Sequence, residues 1–176
     1  MATTLQEIGL KHNTDKAHYH RFCDFYEKHL PNRGFSGRLI EVGIMDGASL
    51  RMWREWYPNA EIVGLDIHIR PQQIDGVTMI EMDATDTHAL DRIGEMDIFI
   101  DDGSHMTHDQ QVTFNHVYPN LLRKGGLYVM EDLHTSFMDN YVNTPTTTYE
   151  LLSRRHDAIT CNNNDGQSIT MIIPKA

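Results

Sequence analysis

Short apolar runs bounded by glycine or polar residues alternate along this chain with stretches whose apolar positions recur at helical spacing. The runs predict strands, and the stretches between them predict helices. Strands are predicted at residues 38–42, 62–67, 77–82, 97–100, 126–130, 158–161 and 168–173. Because parallel neighbours need crossover connections, the alternation favours an α/β fold with a doubly wound, mostly parallel sheet.

The last two predicted strands are separated by Asn-Asn-Asn-Asp-Gly at 162–166, which supplies the turn residues of an antiparallel hairpin. Between the earlier strands, helices are predicted at about 49–57 and 84–95. A longer helix is expected to begin with a capping box at Thr107 to Gln110, bend near Pro119 and end at Lys124. A loop at 133–147 and a short helix at 149–155 complete the pattern.

The N-terminal part has a different pattern. Residues 1–13 are polar and unpatterned, whereas apolar side chains recur at helical spacing between residues 19 and 30. This predicts one amphipathic helix with Tyr19 in the core and with His18 and His20 exposed. We therefore expect a single domain over residues 1–176, with an N-terminal helical segment at 1–34 and a nucleotide-binding core at 35–176.

Composition narrows the function. The chain has 176 residues, enough for one sizeable core, and its formal net charge of -10 opposes binding to nucleic acid or to an anionic membrane surface. The two cysteines show no metal-binding spacing, and the chain begins without a signal peptide and contains no apolar run of transmembrane length. These features favour a cytoplasmic protein that acts on a small molecule.

Acidic residues follow two of the predicted strands. Asp101-Asp102-Gly103-Ser104-His105 comes after the strand at 97–100, and Glu131-Asp132 comes after the strand at 126–130. If these strands are parallel neighbours, the acids meet at the rim where open α/β sheets bind ligands. Carboxylates at close range repel one another unless a cation holds them, which favours a hard divalent ion such as Mg²⁺ at Asp102, Glu131 and Asp132. His105 is then a candidate general base.

A second candidate binding element follows the first strand. Gly43 and Gly47 allow a tight turn before the next helix, but a GxGxxG fingerprint would need glycine where Glu41 and Asp46 stand. A pyrophosphate would meet two carboxylates here, so a ligand with a cationic centre fits better. Asp66 ends the second strand, where an acid can bind ribose hydroxyls, and Asp83 follows the third. Ribose, adenine and a positive charge together describe S-adenosylmethionine.

These motifs resemble a known family. Glu41 to Gly47, Asp66 and Asp83 resemble the nucleotide-binding motifs of class I S-adenosylmethionine-dependent methyltransferases, which have a Rossmann-like, seven-stranded sheet with a C-terminal antiparallel hairpin. More narrowly, the chain resembles the macrocin and mycinamicin type of sugar O-methyltransferases. That resemblance is carried by the stretches 13–16 (Asn-Thr-Asp-Lys), 49–53 (Ser-Leu-Arg-Met-Trp), 100–105 and 125–133.

The resemblance implies roles for individual residues. Asp102, Glu131 and Asp132 would hold a magnesium ion that binds adjacent sugar hydroxyls, and His105, with Asp102 beside it, would act as the catalytic base. The residues implied for S-adenosylmethionine are Glu41, Gly43, Gly47, Ser49, Asp66, Asp83 and Asp101.

The expected function is therefore methyl transfer from S-adenosylmethionine to a hydroxyl of a sugar or another diol-bearing metabolite of natural product biosynthesis, with a divalent cation. Two alternatives stay open: a catechol-type O-methyltransferase that acts on an aromatic diol, and a non-catalytic module that binds S-adenosylmethionine. A base and an acidic cluster together favour an enzyme, because a pure binding module needs no base. Without an inserted cap domain, closure of the site also favours a homo-oligomer.

Overall fold

A seven-stranded sheet organises the molecule, as the computed structural model shows for residues 3–70 and 73–176. Its strand order is β3-β2-β1-β4-β5-β7-β6. The strands are β1 (Arg38–Val42), β2 (Glu61–Asp66), β3 (Val77–Glu81), β4 (Met96–Asp101), β5 (Leu122–Met130), β6 (Ile159–Asn163) and β7 (Ser168–Pro174).

The predicted α/β class and the C-terminal hairpin are confirmed. The neighbouring strands from β3 to β5 run parallel, and β7 inserts between β5 and β6 antiparallel to both. A short 3-10 helix at Asn164–Gly166 connects β6 to β7. From β1 the chain first adds β2 and β3 on one side and then returns to add β4 and β5 on the other side. This change in the order of the parallel strands lies between β1 and β4, and it leaves a crevice above their carboxyl ends.

Helices cover both faces of the sheet. They are α1 (Leu5–His12), α2 (Asp15–His18), α3 (Cys23–His29), α4 (Ala48–Trp56), α5 (Thr87–Ile93), α6 (Thr107–Asn120) and α7 (Thr148–Ser153). One hydrophobic cluster joins the first four helices to the sheet, with Tyr26 and Trp53 among its largest buried side chains. A second cluster contains Phe99 and Tyr128 and lies on the other face. Burial on both faces explains why the central strands are apolar throughout.

The N-terminal prediction was wrong in two respects. The first residues form α1, which begins with a capping box between Thr4 and Glu7, and the predicted single helix after residue 14 is divided into α2 and α3. Arg21 between them has a left-handed backbone with φ 59°. This break reverses the burial that helical periodicity predicts: Tyr19 is 54% exposed, whereas His20 is 8% exposed and stacks on Phe22.

The predicted end of the long helix was also wrong. α6 ends at Asn120, and β5 already begins at Leu122 instead of at residue 126. Leu121 and Leu122 are buried in the core, and Met96 of β4 pairs with Leu122 before the register shifts. The burial of these two leucines and the strand pairing override the helical pattern after Pro119.

The predicted capping box of α6 is absent from the described structure. Met106 is the N-cap residue, and the Thr107 hydroxyl donates to the side chain of Asn143 at 3.0 Å. The backbone N–H of Thr107 donates to the Tyr141 carbonyl at 3.0 Å. The segment 133–147, predicted as a loop, starts with a 3-10 helix at Leu133–Phe137. Later in the same segment, Tyr141 and Asn143 accept the hydrogen bonds that hold the beginning of α6.

In the part of the chain that the structure describes, none of the helices has the length and apolar character needed to cross a bilayer.

Candidate active site

The acidic residues predicted at one rim of the sheet do meet there. β4 and β5 are parallel neighbours, and Asp101 lies opposite Met130 at their carboxyl ends. Asp102 and Glu131 are the next residues on the two strands, and the backbone N–H of Glu131 donates to the Asp101 carbonyl at 2.9 Å. Parallel pairing of these strands thus brings the two acidic motifs side by side.

Asp66 fixes the glycine turn between β1 and α4. One oxygen of its carboxylate accepts hydrogen bonds from the backbone N–H groups of Ile44 at 2.9 Å and Met45 at 3.2 Å. The other oxygen accepts from the backbone N–H of His68 at 3.0 Å. The carboxylate therefore connects the end of β2 to the turn that follows β1, and Oδ1 still has one acceptor position for a ligand.

Both predicted glycines of this turn adopt backbone conformations that favour glycine. Gly43 has φ +80°, and a Cβ built there would lie 1.8 Å from the carbonyl oxygen of Asp102. Gly47 has φ 74° and precedes the first residue of α4. Gly43 is thus required by the close approach of two chain segments, in addition to any approach of a ligand.

A cavity of about 210 Å³ lies above the ends of β1, β2 and β4. Four of the residues predicted to bind the cofactor line it: Gly43, Asp66, Asp83 and Asp101. Asp83 accepts hydrogen bonds from the backbone and the hydroxyl of Thr85, and Asp101 accepts one from the Tyr128 hydroxyl at 2.7 Å. Burial raises the pKa of Asp101 to about 6, although the Tyr128 hydrogen bond opposes the shift.

A second cavity, of about 220 Å³, lies on the other side of the glycine turn. The predicted residues Ser49 and Asp102 line it together with residues 13–16 of the N-terminal segment, and Gly43 lines both cavities. The other predicted cofactor and metal residues are not among the described lining residues of either cavity: Glu41, Gly47, Glu131 and Asp132.

Lys16 occupies the centre of three carboxylates at this rim. Its ammonium nitrogen lies 2.6 Å from Asp102 Oδ2, 2.9 Å from Glu131 Oε2 and 3.1 Å from Glu41 Oε1. Lys16 is 1% exposed, and Glu41, which was predicted to bind the cofactor, is fully buried beside it. We call Glu41, Asp102 and Glu131 the inner carboxylate group.

The inner carboxylate group and Lys16 depend on each other for their charges. Burial favours the neutral amine of Lys16, but Asp102, Glu131 and Glu41 outweigh it and raise the lysine pKa well above its usual value. Burial likewise raises the pKa of Glu131 well above its usual range, and the Lys16 ammonium opposes that shift. A buried cation among acids stabilises their ionised forms.

Histidines surround Asp132, the third predicted metal ligand. His105 Nε2 lies 3.6 Å from Asp132 Oδ2, while Nδ1 of His20 and Nδ1 of His134 lie 3.5 and 3.8 Å from Oδ1. The ligand atoms of Asp102, His105 and Asp132 lie within 4.8 Å of one another, and we call these residues the outer group. Burial lowers the pKa of His134, although Asp132 opposes the shift.

The donor set fits a divalent cation. Among the described residues, Glu131 Oε1 and Asp132 Oδ1 are buried oxygens without a hydrogen-bond partner. Both belong to predicted metal ligands, which the structure distributes over two groups: Glu131 is in the inner group, Asp132 is in the outer group, and Asp102 belongs to both. Unpaired buried carboxylate oxygens are costly, and oxygen atoms are the preferred ligands of Mg²⁺.

Sequence reasoning missed several residues of this region. In the sequence Lys16 stands only in the Asn-Thr-Asp-Lys motif, and its burial becomes visible only in the fold, because its three partners belong to or follow three different strands. His20 was expected at the surface, but it donates to or accepts from the Ser168 hydroxyl at 3.0 Å. Gln110, expected in a capping box, instead lines the first cavity. Its position directly after a histidine-rich, acidic motif was the signal available in the sequence.

Comparisons with known proteins agree with these motifs. The chain is 34% identical over 152 residues to mycinamicin VI 2''-O-methyltransferase of Micromonospora griseorubida, covering 78% of this chain and 38% of that protein. It is 34% identical over 154 residues to demethylmacrocin O-methyltransferase of Streptomyces fradiae, again covering 78% of this chain and 38% of the relative. No family model matches the chain.

A solved structure also resembles the whole fold. The MycE methyltransferase from the mycinamycin biosynthetic pathway, in complex with Mg, SAH and mycinamycin VI, superposes with a TM-score of 0.83. The sequences are 27% identical, and the alignment covers 98% of this chain and 55% of MycE. The resemblance to the macrocin and mycinamicin type of O-methyltransferases is confirmed, and this chain spans 38% of the length of these two curated relatives.

Proposed function

We propose that this protein transfers the methyl group of S-adenosylmethionine to a hydroxyl of a sugar or another diol-bearing metabolite, with the help of a divalent cation. The observation that supports this proposal is the arrangement of acidic residues and His105 at the rim of the sheet. Asp102 belongs to the inner group with Glu131 and to the outer group with His105 and Asp132, and it lines one of two cavities that share Gly43. Glu131 Oε1 and Asp132 Oδ1 are buried without a hydrogen-bond partner among the described residues. A further relative, 35% identical over 150 residues, is named 8-demethyl-8-alpha-L-rhamnosyl tetracenomycin-C 2'-O-methyltransferase, and its rhamnosyl-bearing substrate supports a sugar over an aromatic diol.

In this proposal the first cavity binds the nucleoside. Asp66 takes the ribose hydroxyls, Asp83 lies near the adenine, and Asp101 supports the cavity wall between them. The cationic sulfonium end lies near Gly43 and Gly47, toward Ser49 and the buried Glu41. The surrounding acids favour a cationic ligand over a pyrophosphate.

Asp102, Glu131 and Asp132 would hold the divalent cation. When it is bound, such a cation lowers the pKa of a coordinated hydroxyl and fixes its direction. His105 accepts the proton that the acceptor hydroxyl loses, and Asp132 lies 3.6 Å from its Nε2 and stabilises the protonated ring. The acceptor oxygen forms a bond to the methyl carbon, the bond from carbon to sulfur breaks, and S-adenosylhomocysteine leaves. The protein accelerates this exchange by aligning the oxygen with the bond that breaks.

The proposal also covers the binding partners, the oligomeric state and the location of the protein. We expect a small-molecule acceptor, no nucleic-acid partner, a homo-oligomer that closes the site, and a cytoplasmic enzyme with one domain over residues 1–176. Residues 13–16 already form one wall of the second cavity, which supports a role for the N-terminal segment in closure. Light scattering at micromolar protein concentration tests the oligomer, and a strict monomer would contradict it.

Calorimetry and a methyl-transfer assay test the function. S-adenosylhomocysteine should bind the purified protein, and a panel of glycosides with free vicinal hydroxyls should accept labelled methyl groups in the presence of Mg²⁺. EDTA should abolish turnover, and added Mg²⁺ should restore it. If neither S-adenosylmethionine nor S-adenosylhomocysteine binds, the methyltransferase proposal is refuted. Full turnover in EDTA would refute the role of the metal.

A further inference from the structure

The position of Lys16 is unusual for a lysine. Its nitrogen contacts carboxylates that follow or belong to three different strands, at 2.6, 2.9 and 3.1 Å. The side chain is 1% exposed, so water does not supply other hydrogen-bond partners for it. A flexible, strongly hydrated lysine loses both hydration and conformational freedom at such a site. Three acids in direct contact offset that loss.

The same three carboxylates have the spacing of a metal site. One oxygen from each of Glu41, Asp102 and Glu131 lies within 4.8 Å of the other two. The Lys16 ammonium is within ion-pair distance of all three. It therefore stands at the place where the inner carboxylate group would otherwise hold a cation.

Lys16 contacts only some of the carboxylate oxygens at the rim. It binds Oδ2 of Asp102 and Oε2 of Glu131, whereas Oε1 of Glu131 has no hydrogen-bond partner among the described residues. Asp132 Oδ1 is likewise without one. Glu131 Oε1 and Asp132 Oδ1 are therefore available to a divalent ion on the outer side, and Glu41 Oε2 is a further buried oxygen without a partner among the described residues.

We propose that Lys16 is a permanent cation of the metal site, which fills the inner carboxylate group, orients Asp102 and Glu131, and limits the site to one divalent ion. Lys16 is thus a positioning residue for the metal ligands. The inference rests on the proposed function, because it assumes that the outer side binds a divalent cation. It adds the number of ions and the reason for that number.

Charge supports a single ion. The inner group and Asp132 carry four negative charges when ionised, and Lys16 with one divalent ion supplies three positive charges. A second divalent ion beside the ammonium would meet its repulsion at a distance of a few ångströms, in a buried place where Coulomb interactions are strong. If Lys16 loses its charge, that repulsion disappears and three buried acids are left without a cation.

Distances indicate which ion would replace the ammonium. The carboxylate oxygens lie 2.6–3.1 Å from the lysine nitrogen. Ca²⁺ binds oxygens at about 2.3–2.6 Å, whereas Mg²⁺ requires about 2.0–2.1 Å and strict octahedral geometry. Ca²⁺ would therefore need smaller movements of the buried side chains than Mg²⁺.

The test counts ions in the full chain of Lys16→Gln. Bound Mn²⁺ per chain is measured by electron paramagnetic resonance, and the melting temperature is measured in EDTA, Ca²⁺ and Mg²⁺. The wild-type protein should bind one Mn²⁺, and Lys16→Gln should bind two. In EDTA the variant should melt lower by about 10 °C, because a buried ion pair loses one partner. Ca²⁺ should restore most of that loss, and Mg²⁺ should restore less.

Two control variants test whether the second ion depends on the charge of Lys16 and on the three inner carboxylates. Lys11→Gln removes an exposed lysine that pairs with Glu55 at 2.7 Å, and it should still bind one Mn²⁺. In the double variant Lys16→Gln with Glu41→Gln, one acid is removed together with the lysine charge. The inner group then lacks a ligand, so binding should return to one ion.

Several outcomes would overturn the inference. One Mn²⁺ in both the wild type and Lys16→Gln, with equal affinity, would show that Lys16 does not control the number of ions. Two ions in the wild type would show the same. A Lys16→Gln protein that stays unfolded in Ca²⁺ would show that a cation cannot replace the ammonium. A wild-type protein that binds no Mn²⁺ would instead refute the metal part of the proposed function, so the two failures are distinguishable.

Discussion

His105 Nε2 and Asp132 Oδ2 lie 3.6 Å apart at the rim of the sheet, and both residues have a left-handed backbone, with φ 61° and 52°. Such conformations cost free energy for residues other than glycine and are common at functional sites. His105 follows β4 and Asp132 follows β5, and at these two left-handed positions the side chains approach the same place. The pair has the geometry of a base whose protonated form is stabilised by a carboxylate.

Replacement of His105 by Ala should lower kcat by about 10²- to 10⁴-fold, the usual worth of a positioned base. Affinity for S-adenosylhomocysteine and Mn²⁺ should change little, because the proposed ligands are carboxylates. Steady-state kinetics with an accepted sugar and calorimetry measure both effects. His108→Ala is the matched control, since His108 is exposed and pairs with Asp109 at 3.1 Å. Unchanged kcat in His105→Ala would show that the reaction needs no base at this position.

The sheet and its acidic rim could be predicted because they depend on local patterns. Each central strand is an apolar run that is buried on both faces, and Asp66, Asp102 and Glu131 stand at or directly after strand ends. Parallel order alone then brings such residues to one edge. The rim thus followed from strand assignments and the position of each acid relative to them.

Lys16 and His20 could not be placed in this way. Lys16 lies in a short, polar part of the sequence, and its burial results from partners 25 to 115 residues away in the chain. Helical periodicity placed His20 outside, but the left-handed Arg21 turns the chain and brings His20 to the Asp132 side of the site. In both cases tertiary contacts override the local pattern.

Replacement of Asp66 by Asn should weaken binding of S-adenosylhomocysteine by roughly 10- to 100-fold, because charge-assisted hydrogen bonds to the ribose become neutral ones. The apo protein should also melt lower, since the Asp66 carboxylate accepts from the backbone of Ile44 and Met45. Calorimetry and thermal unfolding measure the two effects separately. Asp91→Asn, a change at an exposed acid that pairs with His116, is the control and should change neither. Equal affinity in Asp66→Asn would contradict the ribose contact.

The buried Cys23 should resist alkylation in the folded protein. Burial raises the pKa of its thiol to about 12, and the thiolate is the reactive form. Iodoacetamide at pH 8 should therefore modify the half-buried Cys161 before Cys23, as peptide mass spectrometry can measure. A fast reaction of Cys23 in the absence of denaturant would contradict the packing of α3.

The same shift has a consequence for stability. A thiol whose pKa is higher in the folded than in the unfolded chain contributes stability that is fully present below its ordinary pKa of 9.0. That contribution is lost as pH rises from 9 towards about 12. The free energy of unfolding of the wild type should thus fall more steeply above pH 9 than that of Cys23→Ala, whose side chain does not titrate. Parallel curves for the two proteins would contradict a buried neutral thiol.

Replacement of Glu131 by Gln should separate metal binding from cofactor binding. Glu131 Oε1 is a buried carboxylate oxygen without a hydrogen-bond partner among the described residues, so the change removes a charged ligand from the proposed metal site. Mn²⁺ affinity should fall by about 10- to 100-fold, and the KM for the sugar should rise. S-adenosylhomocysteine should bind as before, because Glu131 is not among the described residues that line the first cavity. Glu95→Gln, at an exposed acid 3.5 Å from Arg123, is the control. Wild-type Mn²⁺ affinity in Glu131→Gln would exclude Glu131 as a ligand, whereas loss of both ligands together would show that the change disturbs the whole rim.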